Sequence, residues 1–516
     1  MRKSEKHNII KNIGSSWFAL GANVAIGIFL SPFILHRLGD AAFGIWVLIF
    51  SITGYYGIFD LGIRSSIVRY VSKFSAMGDQ DNLARVINTT LFGYTCIGLL
   101  TVLVTFAGMP YLDLILKIPP SLQATSRWLF LIVGASVALG FPLGVFGGAL
   151  EGLQRYYLVN WMNVVSTVVR AGLIVVFLSR GGGLLALGLV TTMVPLLASL
   201  LRMWVTLWIL RTPIRWRYVT RDTARLIANY SGLTFVILIS SRLRFQTDEI
   251  VIGSSLSTEA ITHFSIGARL VDYANNVILC VAQIFMPMSS QSDAEGDTSG
   301  LRKMLIAGNR ACAFVILPIF ASLVILGKSV IEVWVGPRYI SQSYPVLLVL
   351  LIPMTFLLAQ AASTRMLLGT GQHGSYGVVT LIEGAVNVLL SILLVRHYGI
   401  LGDACGTALP LACTTILFLP WYACKTFGLR LGTFLQHAYT LPFLATIPLA
   451  LTLLLEQQWF VPHRFLSLIM QLVIAWGVYG LCLLWMHAKN YAFHIDRDAV
   501  SSEKEAVSCV LLQERA

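Results

Sequence analysis

Along most of this chain, apolar residues run for about twenty positions at a stretch, with polar residues gathered into short intervals between the runs. A helix needs about twenty consecutive apolar residues to cross the hydrocarbon core of a bilayer. Fourteen such spans are predicted, roughly at 16–36, 42–63, 86–107, 127–150, 156–179, 183–210, 228–253, 259–289, 305–327, 343–370, 376–395, 400–424, 436–455 and 466–487. The pattern therefore predicts an all-α polytopic membrane protein. The connections are short, and the longest of the external ones lies near residues 108–126.

Basic residues set the expected orientation, because Lys and Arg collect in cytoplasmic loops. With the N-terminus inside, 22 of the 37 Lys and Arg fall on the cytoplasmic side, 8 on the opposite side and 7 within spans. This imbalance places both termini in the cytoplasm and requires an even number of spans.

A weak internal repeat is present. Gln154 and Gln372, Gly181 and Gly399, Gly188 and Gly406, Leu38 and Leu256, and Ala42 and Ala260 are all separated by 218 positions. The shared offset relates spans one to six to spans seven to twelve. Six is even, so both halves keep the same orientation, with a path between halves related by an axis along the membrane normal. The expected organisation is an N-terminal lobe over 1–225, a C-terminal lobe over 226–430, two further spans over 431–487 and a polar cytoplasmic tail over 488–516.

Composition agrees with the pattern. Of 516 residues, 56% are hydrophobic and 12% charged, against about 25% charged in soluble domains. The net charge of +13 is accounted for by the loop bias. No aromatic-interleaved basic patch accompanies it, so nucleic acid is not an expected partner. The eight cysteines form no CxxC pair, which argues against a disulfide framework or a metal site.

Several motifs fail their structural context. Gly369-Thr370-Gly371-Gln372-His373-Gly374 fits GxGxxG, but a dinucleotide site needs a preceding strand, and here the segment joins two apolar spans. Gly327-Lys328-Ser329 resembles the end of a phosphate-binding loop, yet Ser322 stands where its first glycine belongs. No cofactor is expected, and no catalytic or metal-binding constellation is evident.

Charges inside the spans carry the functional signal. An ionisable residue within a membrane segment is costly and usually faces a cavity or a partner. Arg170, Arg242, Arg244, Arg269 and Arg365 are the candidates for lining a substrate cavity. Arg244 with Asp248, and Arg269 with Asp272, have the spacing of pairs on one helix face. Arg170, Arg242 and Arg365 have no such local partner. A guanidinium stays charged and matches phosphate in two-point geometry, so this set suits an anionic, diphosphate-bearing substrate. Asp60, Asp248, Asp272 and Glu383 are candidates for balancing that charge or for coupling to an H⁺ or Na⁺ gradient.

A family resemblance rests on ordered short strings. They are Arg37-Leu38-Gly39-Asp40-Ala41-Ala42-Phe43-Gly44-Ile45-Trp46, Asp60-Leu61-Gly62-Ile63, Val68-Arg69-Tyr70, Glu151-Gly152-Leu153-Gln154-Arg155, Trp334-Val335-Gly336-Pro337, Glu383-Gly384-Ala385-Val386-Asn387, Tyr398-Gly399-Ile400-Leu401-Gly402 and Gly406-Thr407-Ala408. Over residues 10 to 425 the chain resembles the polysaccharide-transporter branch of the multidrug/oligosaccharidyl-lipid/polysaccharide exporter superfamily, the Wzx-type flippases. The resemblance implies two six-helix lobes around a central cavity. It implies flipping of undecaprenyl-diphosphate-linked oligosaccharide from the cytoplasmic to the outer leaflet of the bacterial inner membrane, for surface polysaccharide such as O-antigen or exopolysaccharide. Membrane lipid and other membrane proteins of the glycan pathway are the further partners it implies. Two alternatives are an ion-coupled drug/cation antiporter of the same superfamily and a membrane glycan polymerase or ligase. The arginines argue against the first, and the short external loops against the second.

Overall fold

The computed structural model describes residues 3–210, 212–459 and 464–489. Most of the tail expected over 488–516 lies outside them. Among the described residues the regular structure is entirely helical. A membrane-spanning segment must satisfy every backbone polar group internally, and helices do this within one segment.

Twelve helical stretches among the described residues are long and apolar enough to cross a membrane. Two places account for the difference from the fourteen predicted. The stretch Gly374–Phe427 holds the expected spans 376–395 and 400–424, which bend apart at Gly399 with φ 59° and ψ −142°. That backbone conformation is open to glycine and strained for other residues. The expected span 228–253 is divided into Arg221–Phe245 and Asp248–Ser255. Four charged side chains around the break keep it from reading as one apolar segment.

The chain divides into two compact units, Met1–Ser265 with Ser391–Asp403 and Ile266–Leu390 with Ala404–Ala516. In the first, Ile63–Met77 is an amphipathic helix rather than a span. It buries Ser66, Ile67, Tyr70 and Val71 on one face. Ile67, Tyr70 and Val71 pack with Leu83, Val86, Ile87, Val145 and Ala149, the stripe expected of a helix lying on a core. Helices Gln80–Gly108 and Gln123–Gly152 approach closely at Gly98, where a Cβ would lie 2.6 Å from the Ala138 carbonyl oxygen. Small residues permit such contacts between membrane helices. The connection following Gln80–Gly108 is pinned in place. The Lys117 amide donates to the Gly253 carbonyl at 3.0 Å, and Arg127 pairs with Asp113 at 2.5 Å.

In the second unit the helix Thr298–Val335 is 38 residues long. At 1.5 Å per residue it extends about 57 Å, well beyond a hydrocarbon core of about 30 Å. The last two helices, Leu431–Trp459 and Phe465–Ala488, pack into this unit. Leu326, Ala445, Leu449, Leu453 and Ala475 form their shared core. The Tyr479 hydroxyl donates to the Phe314 carbonyl at 2.6 Å, and Gln457 Nε2 donates to the Ile325 carbonyl at 2.7 Å. Further along, Cys413–Phe418 forms a π-helical turn. The buried Gln360 side chain serves it by donating to the Thr415 carbonyl at 2.7 Å.

Candidate functional site

In the first unit, Asp40–Gly54 and the turn Tyr55–Asp60 meet the break between Arg221–Phe245 and Asp248–Ser255. Ser51 Oγ lies 2.7 Å from the Gln246 carbonyl oxygen and 3.1 Å from Glu249 Oε2. The Tyr55 hydroxyl bonds Thr247 Oγ1, and Thr247 Oγ1 donates to the Leu243 carbonyl at 2.9 Å. The Arg242 guanidinium lies over Gly57, where a Cβ would stand 2.6 Å from one of its terminal nitrogens. Tyr55 lies within electrostatic reach of Asp248, Glu249 and Arg242 together.

This break alters one sequence expectation. Arg244 and Asp248 were expected on one face of a continuous helix, but the helix ends at Phe245 and the next begins at Asp248. Both residues are buried, each 7% exposed. Their placement follows the turn between the helices rather than an i, i+4 spacing.

Asp403 joins Asp248 and Glu249 from a distant part of the sequence. It is fully buried and lies within electrostatic reach of both. Neither of its carboxylate oxygens has a hydrogen-bond partner among the described residues. Sequence reading missed it, because Asp403 sits in a glycine-rich string at the start of the expected span 400–424. Its one signal was being an acid amid apolar and small residues.

The remaining candidates fall at separate places. Asp60 accepts a hydrogen bond from the Tyr94 hydroxyl. It lies near Arg64, which pairs with Glu151 at 2.5 Å. Arg170 is half-buried on Tyr156–Ser179. In the second unit Arg269 and Asp272 lie on Thr258–Ala282 within electrostatic reach of each other. Arg365 is half-buried on Ala361–Gly369 near Tyr376, and Glu383 is buried at 4% exposure. Among the described residues, the side chains of Arg170, Arg242 and Arg365 make no hydrogen bond or ion pair. Desolvated guanidinium groups that remain unpaired are available to an incoming anion. No group of three or more His, Cys, Asp or Glu among the described residues has the geometry to hold a metal ion.

A family model described as "Polysaccharide biosynthesis protein" matches residues 34–343, well over half of the chain. The chain belongs to this family. As a polysaccharide biosynthesis protein it is similar to the protein named "Uncharacterized membrane protein EpsK" of Bacillus subtilis (strain 168). The two are 22% identical over 433 residues, covering 82% of this chain and 85% of the relative. It is similar to the "Putative O-antigen transporter" of Shigella flexneri, with 22% identity over 422 residues covering 80% of this chain and 97% of the relative. Among solved structures it is similar to the lipid II flippase MurJ in an inward closed conformation. The TM-score is 0.67 at 16% identity, with 93% of this chain and 99% of that chain covered. At that identity the likeness speaks for the fold alone.

Proposed function

We propose that this membrane protein is a flippase, not an enzyme, and that it moves undecaprenyl-diphosphate-linked oligosaccharide from the cytoplasmic to the outer leaflet of the bacterial inner membrane. The observation that carries the reading is the set Arg170, Arg242 and Arg365, half-buried within an apolar chain and without an ion pair among the described residues. Keeping guanidinium groups in a membrane protein without carboxylate partners is costly unless a ligand supplies the counter-charge. A diphosphate does so with matching geometry. Membership in a polysaccharide biosynthesis family and the name of the O-antigen transporter relative support a glycan cargo.

In this reading Arg244 and Arg269 extend the anionic subsite toward acidic sugars. Lobes over 1–225 and 226–430 alternate access while the lipid tail stays in the bilayer. Asp248 and Glu249, with Asp403 added, are the groups best disposed to couple transport to an H⁺ or Na⁺ gradient. Asp60, Asp272 and Glu383 balance charge. Both termini are cytoplasmic, on the strength of the Lys and Arg distribution. Other membrane proteins of the same glycan pathway are the expected neighbours.

The test is the leaflet distribution of lipid-linked oligosaccharide in cells depleted of this protein. Accumulation on the cytoplasmic face, reversed by re-expression, is the expected result. An unchanged distribution in a strain with no second flippase overturns the reading.

A further inference from the structure

A cavity of about 760 Å³ lies wholly within the second unit, and none of the arginines considered above lines it. Three segments build it. The first runs from Asp293 to Arg302 and includes the start of Thr298–Val335. The second, Thr370 to Ser375, is the glycine-rich turn entering Gly374–Ala412. The third, Phe418 to Gly428, follows the π-helical turn. On the Lys and Arg distribution this end of the unit faces the cytoplasm. The GxGxxG string, which has no role as a dinucleotide fingerprint, thus forms part of a cavity wall.

The lining divides into two kinds of surface. One is electropositive. Arg302 donates through Nε to the Phe427 carbonyl at 3.1 Å, and among the described residues its terminal nitrogens have no acceptor. They approach Gly428, where a Cβ would stand 2.8 Å from one of them. Lys425 is exposed, its ammonium 5.0 Å from the Trp421 ring centre. Ser375 stands in the first turn of a long helix, where the helix dipole favours anions, whereas the first turn at Thr298 is already capped by the Asp297 carboxylate.

The other surface suits a hydroxyl-rich body. Phe418 and Tyr422 stack at 5.3 Å between ring centres, and Trp421 stands beside them. Asp293 supplies a carboxylate, Gln372 an amide, and Thr298, Thr370 and Ser375 hydroxyls. Aromatic faces present an apolar platform, while carboxylate, amide and hydroxyl groups accept from and donate to vicinal hydroxyls. The volume falls in the range of small-molecule sites, about 300–1,000 Å³.

From this geometry we infer that the second unit carries its own binding site for a phosphorylated saccharide. Arg302 and Lys425 hold the phosphate, and the aromatic wall with Asp293 and Gln372 holds the sugar. The ligand is either a water-soluble sugar phosphate or the same headgroup on a membrane lipid. The inference stands on the cavity, independently of which residues carry the transported cargo.

The test uses the full-length protein in lipid nanodiscs, titrated with glucose 1-phosphate and separately with glucose linked to a polyprenyl phosphate. Glucose and inorganic phosphate serve as controls. Binding is read by calorimetry and by the fluorescence change of Trp421 against a Trp421→Phe variant. Saturable binding of either phosphorylated sugar is expected, weakened about tenfold in Lys425→Gln, the loss of one charge-assisted contact. It is expected to be abolished in Ser375→Trp, which fills the cavity. Binding of both probes assigns recognition to the headgroup alone, and binding of the lipid-linked probe alone assigns the source to the membrane. Binding of neither overturns the inference, as does binding indifferent to Lys425→Gln, or phosphate binding as tightly as the sugar phosphate. Lys425 is exposed and lies over the exposed Trp421 ring rather than in the core, so that variant decides the matter even if Ser375→Trp fails to fold. Leaflet distribution of lipid-linked oligosaccharide, measured separately, keeps this result distinct from the transport reading.

Discussion

Asp79 and Asp297 stand 218 positions apart and cap two helices in the same manner. Asp79 accepts from the Asn82 amide at 3.0 Å at the start of Gln80–Gly108, and Asp297 from the Gly300 amide at 2.8 Å at the start of Thr298–Val335. Each follows a left-handed glycine, Gly78 at φ 69° and Gly296 at φ 70°. The offset is the one already visible between Gly181 and Gly399, and both of these also have positive φ. The repeat is therefore carried by helix starts and turns more than by apolar residues, since many apolar side chains fill a span equally well.

These caps have a pH signature. Backbone hydrogen bonds, from Asn82 to Asp79 and from Gly300 to Asp297, hold both carboxyls below their ordinary values, with side-chain bonds from Asn82 and Ser299 adding to the effect. A depressed folded-state value contributes stability that is present above the unfolded value of about 3.9 and lost as pH falls through the folded one. Amide exchange in the first turn of Thr298–Val335 is expected to rise below about pH 4. In Asp297→Asn, which keeps the cap without a titrating group, that rise is expected to disappear. The same exchange profile in both proteins would show that the carboxylate contributes nothing to the cap.

If Arg170 and Arg365 hold the cargo as proposed, neutralising both removes two charged contacts to it. The double variant Arg170→Gln/Arg365→Gln is expected to insert normally and to lose transport by about a hundredfold or more. Lys303→Gln, at an exposed position, serves as the control with native transport. Native transport by the double variant would remove these arginines from the cargo site.

Gly57 leaves room for the Arg242 guanidinium. A Cβ at Gly57 would stand 2.6 Å from a terminal nitrogen of that side chain. The nitrogen is the far end of a flexible chain, so Gly57→Ala is expected to change thermal stability by less than about 1 kcal/mol. Transport is expected to fall, because the guanidinium must move. In an Arg242→Gln background Gly57→Ala is expected to have no further effect on transport, the mark of a coupled pair. Additive losses would show that Gly57 acts otherwise.

Asp403 is a fully buried carboxyl beside Asp248 and Glu249. Asp403→Asn keeps its shape and replaces a buried ionisable carboxyl in the cluster by a neutral amide. Thermal stability is expected to rise by about 1–2 kcal/mol. Transport into proteoliposomes is expected to lose its response to an imposed H⁺ or Na⁺ gradient. A variant that still responds to both gradients would exclude this cluster from coupling.

The membrane character, the positions of most spans and the unusual arginines were legible in the sequence. Each follows from a constraint that acts on short stretches of chain. Hydrocarbon demands about twenty apolar residues in a row, and an arginine within such a stretch stands out by its cost. Two spans joined at Gly399 could be read separately because a glycine at a turn leaves a local mark. The GxGxxG string could be set aside as a nucleotide motif because it joins two apolar runs.

Other features depend on contacts between distant parts of the chain. Asp403 meets Asp248 and Glu249 across about 150 positions, and no periodicity links them. The division of Arg221–Phe245 from Asp248–Ser255 changed what Arg244 and Asp248 can face, since a helical spacing applies only while the helix continues. The cavity that joins Arg302, Gln372 and Lys425 draws on three segments that local sequence treats as unrelated connections. By itself the sequence determined that this chain lives in a membrane and carries charge within it, because solvation acts on every residue where it stands. Only the tertiary structure decided which of those charges meet and which stay unpaired, because desolvation and Coulomb energies depend on neighbours that folding alone brings together.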